Sequence, residues 1–173
     1  MSPDGEHEDM TRQPYVAVVG AAVANDDELA WAEDVGRLLA ENHAVLVCGG
    51  LGGVMDAAAR GCESAGGLSV GILPGEFRAG ASTHLTITLP TGIGEARNTL
   101  VVRAADVVIA VGGEFGTLSE IAFALKMGTP VVGLESWRLE RDGLIGDPIQ
   151  RAETPSEAVA RALAMTRTPE AFR

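Results

Sequence analysis

Lysine is all but missing from this 173-residue sequence: Lys126 is the single one among 13 basic residues, and 24 Asp plus Glu leave a formal net charge of −11. So acidic a surface repels the phosphate backbone of DNA or RNA, which argues against non-specific nucleic-acid binding. Cysteine is equally scarce. Cys48 and Cys62 are the only two, on an expected strand end and an expected helix, and they read as reduced core thiols rather than a disulfide. The three histidines, His7, His43 and His84, lack zinc-ligand spacing, so no metal site is read. No apolar run nears the ~20 residues of a membrane span. The opening MSPDGEHEDMTRQP is acidic and polar where a signal peptide would be basic and then apolar. The expectation is a cytoplasmic protein with no membrane partner.

What is present is an ordinary globular composition, 46% hydrophobic and 21% charged with 22 Gly. The length suits one domain on the usual scale of about 100–200 residues. Residues 1–14 read as a flexible acidic tail, without apolar periodicity and with Pro3, Gly5 and Pro14. The folded domain is expected over 15–173. From Tyr15 a pattern repeats: a short β-branched run, a glycine loop, then an Ala-rich helical stretch. Strands are predicted at Tyr15–Gly20, Ala44–Cys48, Leu68–Leu73, His84–Leu89, Asp106–Val111 and Pro130–Glu135. Helices are predicted at 26–41, 54–65, 95–105, 117–127 and 155–165. The first carries Leu29, Ala32, Val35, Leu38 and Leu39 at helical spacing. The last opens on Thr154-Pro155-Ser156-Glu157, read as a capping box. Several strands are apolar at nearly every position, as strands covered on both faces are. The fold class is therefore α/β, a single doubly wound, mostly parallel sheet with helices on both faces.

In such a sheet ligands bind beyond the carboxyl ends of the strands, where the strand order reverses. Four glycine loops qualify: Gly20-Ala21-Ala22, Gly49-Gly50-Leu51-Gly52-Gly53, Thr91-Gly92-Ile93-Gly94 and Gly112-Gly113-Glu114-Phe115-Gly116-Thr117. None is a Walker A loop and the first lacks G-x-G-x-x-G, so an ordinary ATP or NAD site is not supported. The last is the best anion site, because glycines admit a close ligand and the next helix aims free N–H groups at it. Thr117 offers a hydroxyl and Glu120 lies one turn on. Thr117-Leu118-Ser119-Glu120 equally fits a capping box, in which Glu120 only bonds backbone. Arg97 follows the 92–94 loop, where a guanidinium can hold a phosphate or carboxylate, or else pair with Glu95 or Asp106. Asn98 and Arg103 read as helix-face residues, His84 as a strand start and Trp137 as the cap of a core edge.

Two segments, LVCGGLGGVMDAAARGCESAGGLSVGILP (46–74) and EARNTLVVRAADVVIAVGGEFGTLSE (95–120), resemble the Lonely Guy (LOG) family, often mislabelled as lysine decarboxylases, over roughly Tyr15–Ala164. Arg97 and Glu120 match the family's R-K and P-G-G-x-G-T-x-x-E motifs at the family's separation. The resemblance implies a Rossmann-like nucleotide-binding domain and a homodimer or homotetramer. It makes Arg97 and Glu120 a catalytic pair and Gly113, Gly116 and Thr117 phosphate-loop residues; Gly20, Gly49 and Gly50, from the other strand-end loops, complete the expected phosphate- or nucleotide-binding set. It further implies binding of an AMP-like nucleoside 5'-monophosphate and hydrolysis of its N-glycosidic bond, with no cofactor required. Asn98 replaces the motif lysine, Glu114 replaces a loop glycine, and GGLGGVMD is one residue short. These departures resemble the sister group containing molybdenum cofactor carrier proteins, which implies the alternative of a non-catalytic carrier of that cofactor or another phosphorylated pterin. A structural homo-oligomer with a relic cleft is the third class. Lysine decarboxylation is disfavoured, since no cofactor-lysine motif surrounds Lys126.

Overall fold

The computed structural model describes residues 13–143 and 145–166. They form a seven-stranded, all-parallel sheet flanked by five α-helices, an α/β Rossmann-like domain. In chain order the elements are β1 (Tyr15–Gly20), α1 (Asp26–Glu41), β2 (Val45–Cys48), α2 (Val54–Ser64), β3 (Ser69–Leu73) and β4 (Ile87–Pro90). A 3-10 turn (Gly94–Arg97) then leads into α3 (Asn98–Arg103), β5 (Val107–Val111), α4 (Phe115–Met127), β6 (Val131–Leu134), β7 (Gln150–Ala152) and α5 (Pro155–Met165). The strand order is β4-β3-β2-β1-β5-β6-β7, so the order reverses between β1 and β5.

Two apolar cores sandwich the sheet. Val16, Val18, Leu46 and Ile109 pack beneath α1, α2 and α5, while Ala17, Val19, Val108 and Ala110 pack beneath α3 and α4. This alternation along β1 and β5, with every residue of β5 buried, is why those strands read as continuous apolar runs. Cys48 and Cys62 are buried free thiols in the first core. Burial raises the Cys48 thiol to about 12 and the Cys62 thiol to about 11.

Local chemistry moves several boundaries away from expectation. The predicted strand at His84–Leu89 starts only at Ile87, because Ser69 and Thr86 exchange side chain–backbone hydrogen bonds at the position where a ladder would begin. His84 lies before the strand and its Nδ1 is 2.6 Å from Glu63 Oε2. The predicted helix 95–105 divides into the 3-10 turn and α3. Strand β7 was not foreseen, since Gln150-Arg151-Ala152 carries no apolar run. Thr154 caps α5 by accepting from Glu157 N–H, but the Glu157 carboxylate reaches past it to Glu153 N–H, so no reciprocal box closes. The box forms instead on α1: Asn25 Oδ1 accepts from Glu28 N–H and Glu28 Oε2 accepts from Asn25 N–H. Of the expected acidic tail, residues 1–12 lie outside the described residues; the Pro14 carbonyl accepts from Val45 N–H at 2.8 Å, tying the chain to β2. Among the described residues no helix is long and apolar enough to cross a membrane.

Candidate functional site

The carboxyl ends of β1, β2 and β5 bring three of the four glycine loops together at the reversal of strand order. Helix α4 begins earlier than its sequence pattern suggests, at Phe115, with Glu114 as N-cap in extended conformation and no side-chain cap. Thr117 and Glu120 therefore lie inside the helix, and the capping-box alternative for this pair is not realised. Thr117 is 2% exposed and its Oγ1 is buried without a protein partner. It presses against Gly113, where a Cβ would stand 2.7 Å from Thr117 Oγ1 and where φ is +114°, so glycine is required twice over.

Arg97 ends the 3-10 turn, and its guanidinium turns inward beneath the second loop. A Cβ on Gly49 would fall 2.3 Å from Arg97 Nη1, so the glycine makes room for the arginine. Arg97 and Glu120 are 5% and 6% exposed, and their nearest approach, Nη1 to Oε1, is 3.7 Å. That is an ion pair too long for a good hydrogen bond, and Arg97 Nε has no protein partner. Burial pushes the Glu120 carboxyl up to about 7; Arg97 opposes the rise and Glu95 adds to it. The expected alternatives for Arg97 are thus displaced by Glu120, while Asp106 accepts from Tyr15 N–H at 2.8 Å. Asn98, expected on a helix surface, is buried; it donates to Ser119 Oγ at 3.3 Å and leaves Oδ1 unpartnered. Arg103 is exposed, as expected.

The other glycines differ in their surroundings. Gly20 is hemmed in by Val111 O and Val54, and Gly50 by Leu73 and Gly71, so each has a packing reason for lacking a side chain. Gly116 is open to solvent at the start of α4.

Sequence reasoning missed a further group. A cavity of about 270 Å³ is lined by Glu28, Gly112, Gly113, Glu135, Ser136 and Trp137. These come from the first turn of α1 and from the loops after β5 and β6. The Asn25-x-x-Glu28 capping pattern was the one available signal for Glu28. Glu135 and Ser136 meet it only through the topology. Trp137, expected to cap a core edge, does pack on the second core and also walls this cavity. A larger hollow of about 530 Å³ is walled by residues 138–142, 146 and 147, none of them from the four glycine loops.

A parallel sheet whose order reverses between β1 and β5, with helices on both faces, defines a Rossmann-like α/β protein. Residues 13–168 match the SLOG cluster4 family, and the chain belongs to it. A protein of Archaeoglobus fulgidus is 41% identical over 144 residues, covering 83% of this chain and 91% of that one. The molybdenum cofactor binding protein of the phototrophic bacterium Rippkaea orientalis superposes with a TM-score of 0.82 at 35% identity, over 90% of this chain and 98% of that one. The molybdenum cofactor carrier protein of Chlamydomonas reinhardtii does so with a TM-score of 0.74 at 30% identity, over 88% and 99%.

Proposed function

We propose that this protein is a non-catalytic carrier of molybdenum cofactor or a closely related phosphorylated pterin. The observation that carries the reading is the mutual burial of Arg97 and Glu120. A hydrolase needs these two groups within reach of a ribose carbon and of water, whereas here they are 5% and 6% exposed and face each other beneath Gly49. The likeness to two molybdenum cofactor proteins over nearly their full lengths supports the same reading. The ligand's phosphate would sit at the Gly113–Thr117 turn. There α4 presents free N–H groups and the Thr117 hydroxyl lacks a protein partner.

One observation favours the second reading, a nucleoside 5'-monophosphate phosphoribohydrolase: a carboxyl raised to about 7 is poised for proton transfer at neutral pH. Native mass spectrometry of the purified protein, before and after addition of AMP, separates the two. A retained pterin, or AMP held intact, fits the carrier. Release of free base that Glu120→Ala abolishes would replace the carrier with the hydrolase. The same spectra report the expected homo-oligomer. Ile87 and Leu89 on edge strand β4 pair in register with Val70 and Ile72 of the second core, yet stand exposed together with Ile93 and Leu100. A second copy of the chain would cover them.

A further inference from the structure

We infer that the loops beyond the carboxyl ends of β1, β3 and β5 form a docking surface for a protein that presents a basic face with apolar pockets. The surface stands on exposure, topology and charge alone. Under the carrier reading it also sets that partner over the ligand, because Phe115 lies within the Gly113–Thr117 turn.

Large apolar side chains are exposed unevenly over the molecule. Among the described residues four are more than 70% exposed: Val23, Phe77, Phe115 and Ile145. The first three follow the carboxyl ends of β1, β3 and β5, which a parallel sheet points in one direction, while Ile145 lies in the β6–β7 connection. At the opposite end, the described helix-to-strand connections expose one such residue, Leu68, at 48%. The strand-end loops also hold one another in place. Gly92 N–H donates to Gly75 O at 2.9 Å and Ser82 N–H to Gly50 O at 3.0 Å, which pins both ends of the 75–82 loop that carries Phe77. Val54 N–H donates to Ala21 O at 3.0 Å, and a Cβ on Gly112 would meet Glu28, so the β1–α1 connection is held between its neighbours. Three strand steps separate β3 from β5, about 15 Å at the usual strand spacing. Phe77, Val23 and Phe115 therefore fall within the footprint of one protein partner, which is about 800 Å² per side.

Charge chooses the partner. Within segments 21–28, 49–53, 74–82 and 112–116 the exposed charged residues are Asp26, Asp27, Glu76 and Glu114 against one cation, Arg78. Glu76 and Glu114 directly precede Phe77 and Phe115, and Asp26 lies three residues after Val23. A second copy docking through the same face would set these carboxylates against themselves. A nucleic acid or an anionic lipid surface would be repelled in the same way. A basic protein surface gains on both counts: its cations meet the carboxylates around the contact, and its apolar pockets take the phenylalanine rings as anchors.

The test pans phage-displayed random peptides against the full chain and measures the enriched sequences, as synthetic peptides, by fluorescence anisotropy. Enriched peptides should combine net positive charge with aromatic or aliphatic anchors, and should bind more weakly as salt rises. Phe77→Ser, Phe115→Ser and the charge reversal Glu76→Lys should each weaken them about tenfold or more. Leu68→Ser, at the far end of the sheet, should leave them unaltered. Melting curves confirm that each variant folds. Absence of enrichment, a neutral or acidic consensus, or equal binding to the parent, Phe77→Ser and Glu76→Lys overturns the surface. Dissociation of the homo-oligomer by Phe77→Ser would assign the rim to a second copy, and flotation with phosphatidylcholine–phosphatidylserine vesicles that Phe77→Ser abolishes would assign it to a membrane; either overturns it equally. Native mass spectra read the carrier separately: Phe77→Ser should retain pterin or AMP as the parent does, and absence of both from the parent overturns the carrier reading while leaving the surface in place.

Discussion

The two faces of the sheet are built on opposite terms. Under α1 and α2 the packing is very close. Gly36 sits where a Cβ would fall 1.9 Å from Ala58 O, and Gly61 where one would fall 1.9 Å from Glu33 O. The two helix backbones therefore nearly touch, with the Arg60–Glu33 ion pair at 2.7 Å flanking the crossing. Across the sheet, the 3-10 turn, α3 and α4 place Arg97, Asn98, Thr117 and Glu120 at buried positions, and three of these leave an atom without a protein partner. An unpaired buried polar group costs about 1–3 kcal/mol. Both faces bury an apolar core, but the second also carries polar groups that stability alone would replace with apolar ones.

The sharpest way to break this contrast is to force the close-packed face apart. Gly36→Val places a branched side chain against the backbone of α2, where no flexible neighbour can give way. The expected loss is about 3 kcal/mol or more. At roughly 2–4 °C per kcal/mol for a domain of this size, that lowers Tm by about 10 °C. A melt within a degree or two of the parent would show that the helix crossing adapts and that the contrast is overstated.

Next in size is a pH effect confined to the polar face. The Glu120 carboxyl stands at about 7 in the folded protein against an ordinary 4.5. Between those values the folded state holds a proton that the unfolded chain has released. The stability from this group is thus complete below about pH 4.5, is lost as pH rises toward 7, and changes no further above that. The full swing is on the order of 3 kcal/mol. Glu120→Gln cannot titrate, so the difference in urea stability between parent and variant should shift in the parent's favour on going from pH 8 to pH 5. Parallel curves across that range would mean the carboxyl is solvated rather than buried.

The contrast was only partly legible in the residues. β1, α1 and α5 lie where apolar period and capping residues put them, because Val-rich runs and Asp26, Asp27 and Glu28 in a first turn act locally. β4 was displaced by a Ser69–Thr86 exchange between residues 17 positions apart, and β7 by its lack of apolar residues, since both depend on neighbours in space. Arg97 and Glu120 were singled out through motif spacing. Their burial against each other was not, because it depends on α4 starting at Phe115 rather than at Thr117. Glu28 comes from one segment and Glu135-Ser136 from another more than a hundred residues on, and no short motif joins them.

The smallest expected effect separates the faces most cleanly, because it sets stability and binding against each other. Thr117→Val exchanges a buried hydroxyl that has no protein partner for a methyl group. Relief from burying an unpaired polar group should raise stability by about 1 kcal/mol, a gain of roughly 2–4 °C in Tm. Loss of a donor at the start of α4 should weaken AMP binding about tenfold. The reverse change on the other face, Val35→Thr in α1, puts an unpaired hydroxyl into the first core. It should lower Tm and leave AMP affinity unaltered. If Thr117→Val lowered both stability and affinity, its hydroxyl would be a structural hydrogen bond bridged by water, and the two faces would differ less than their side chains suggest.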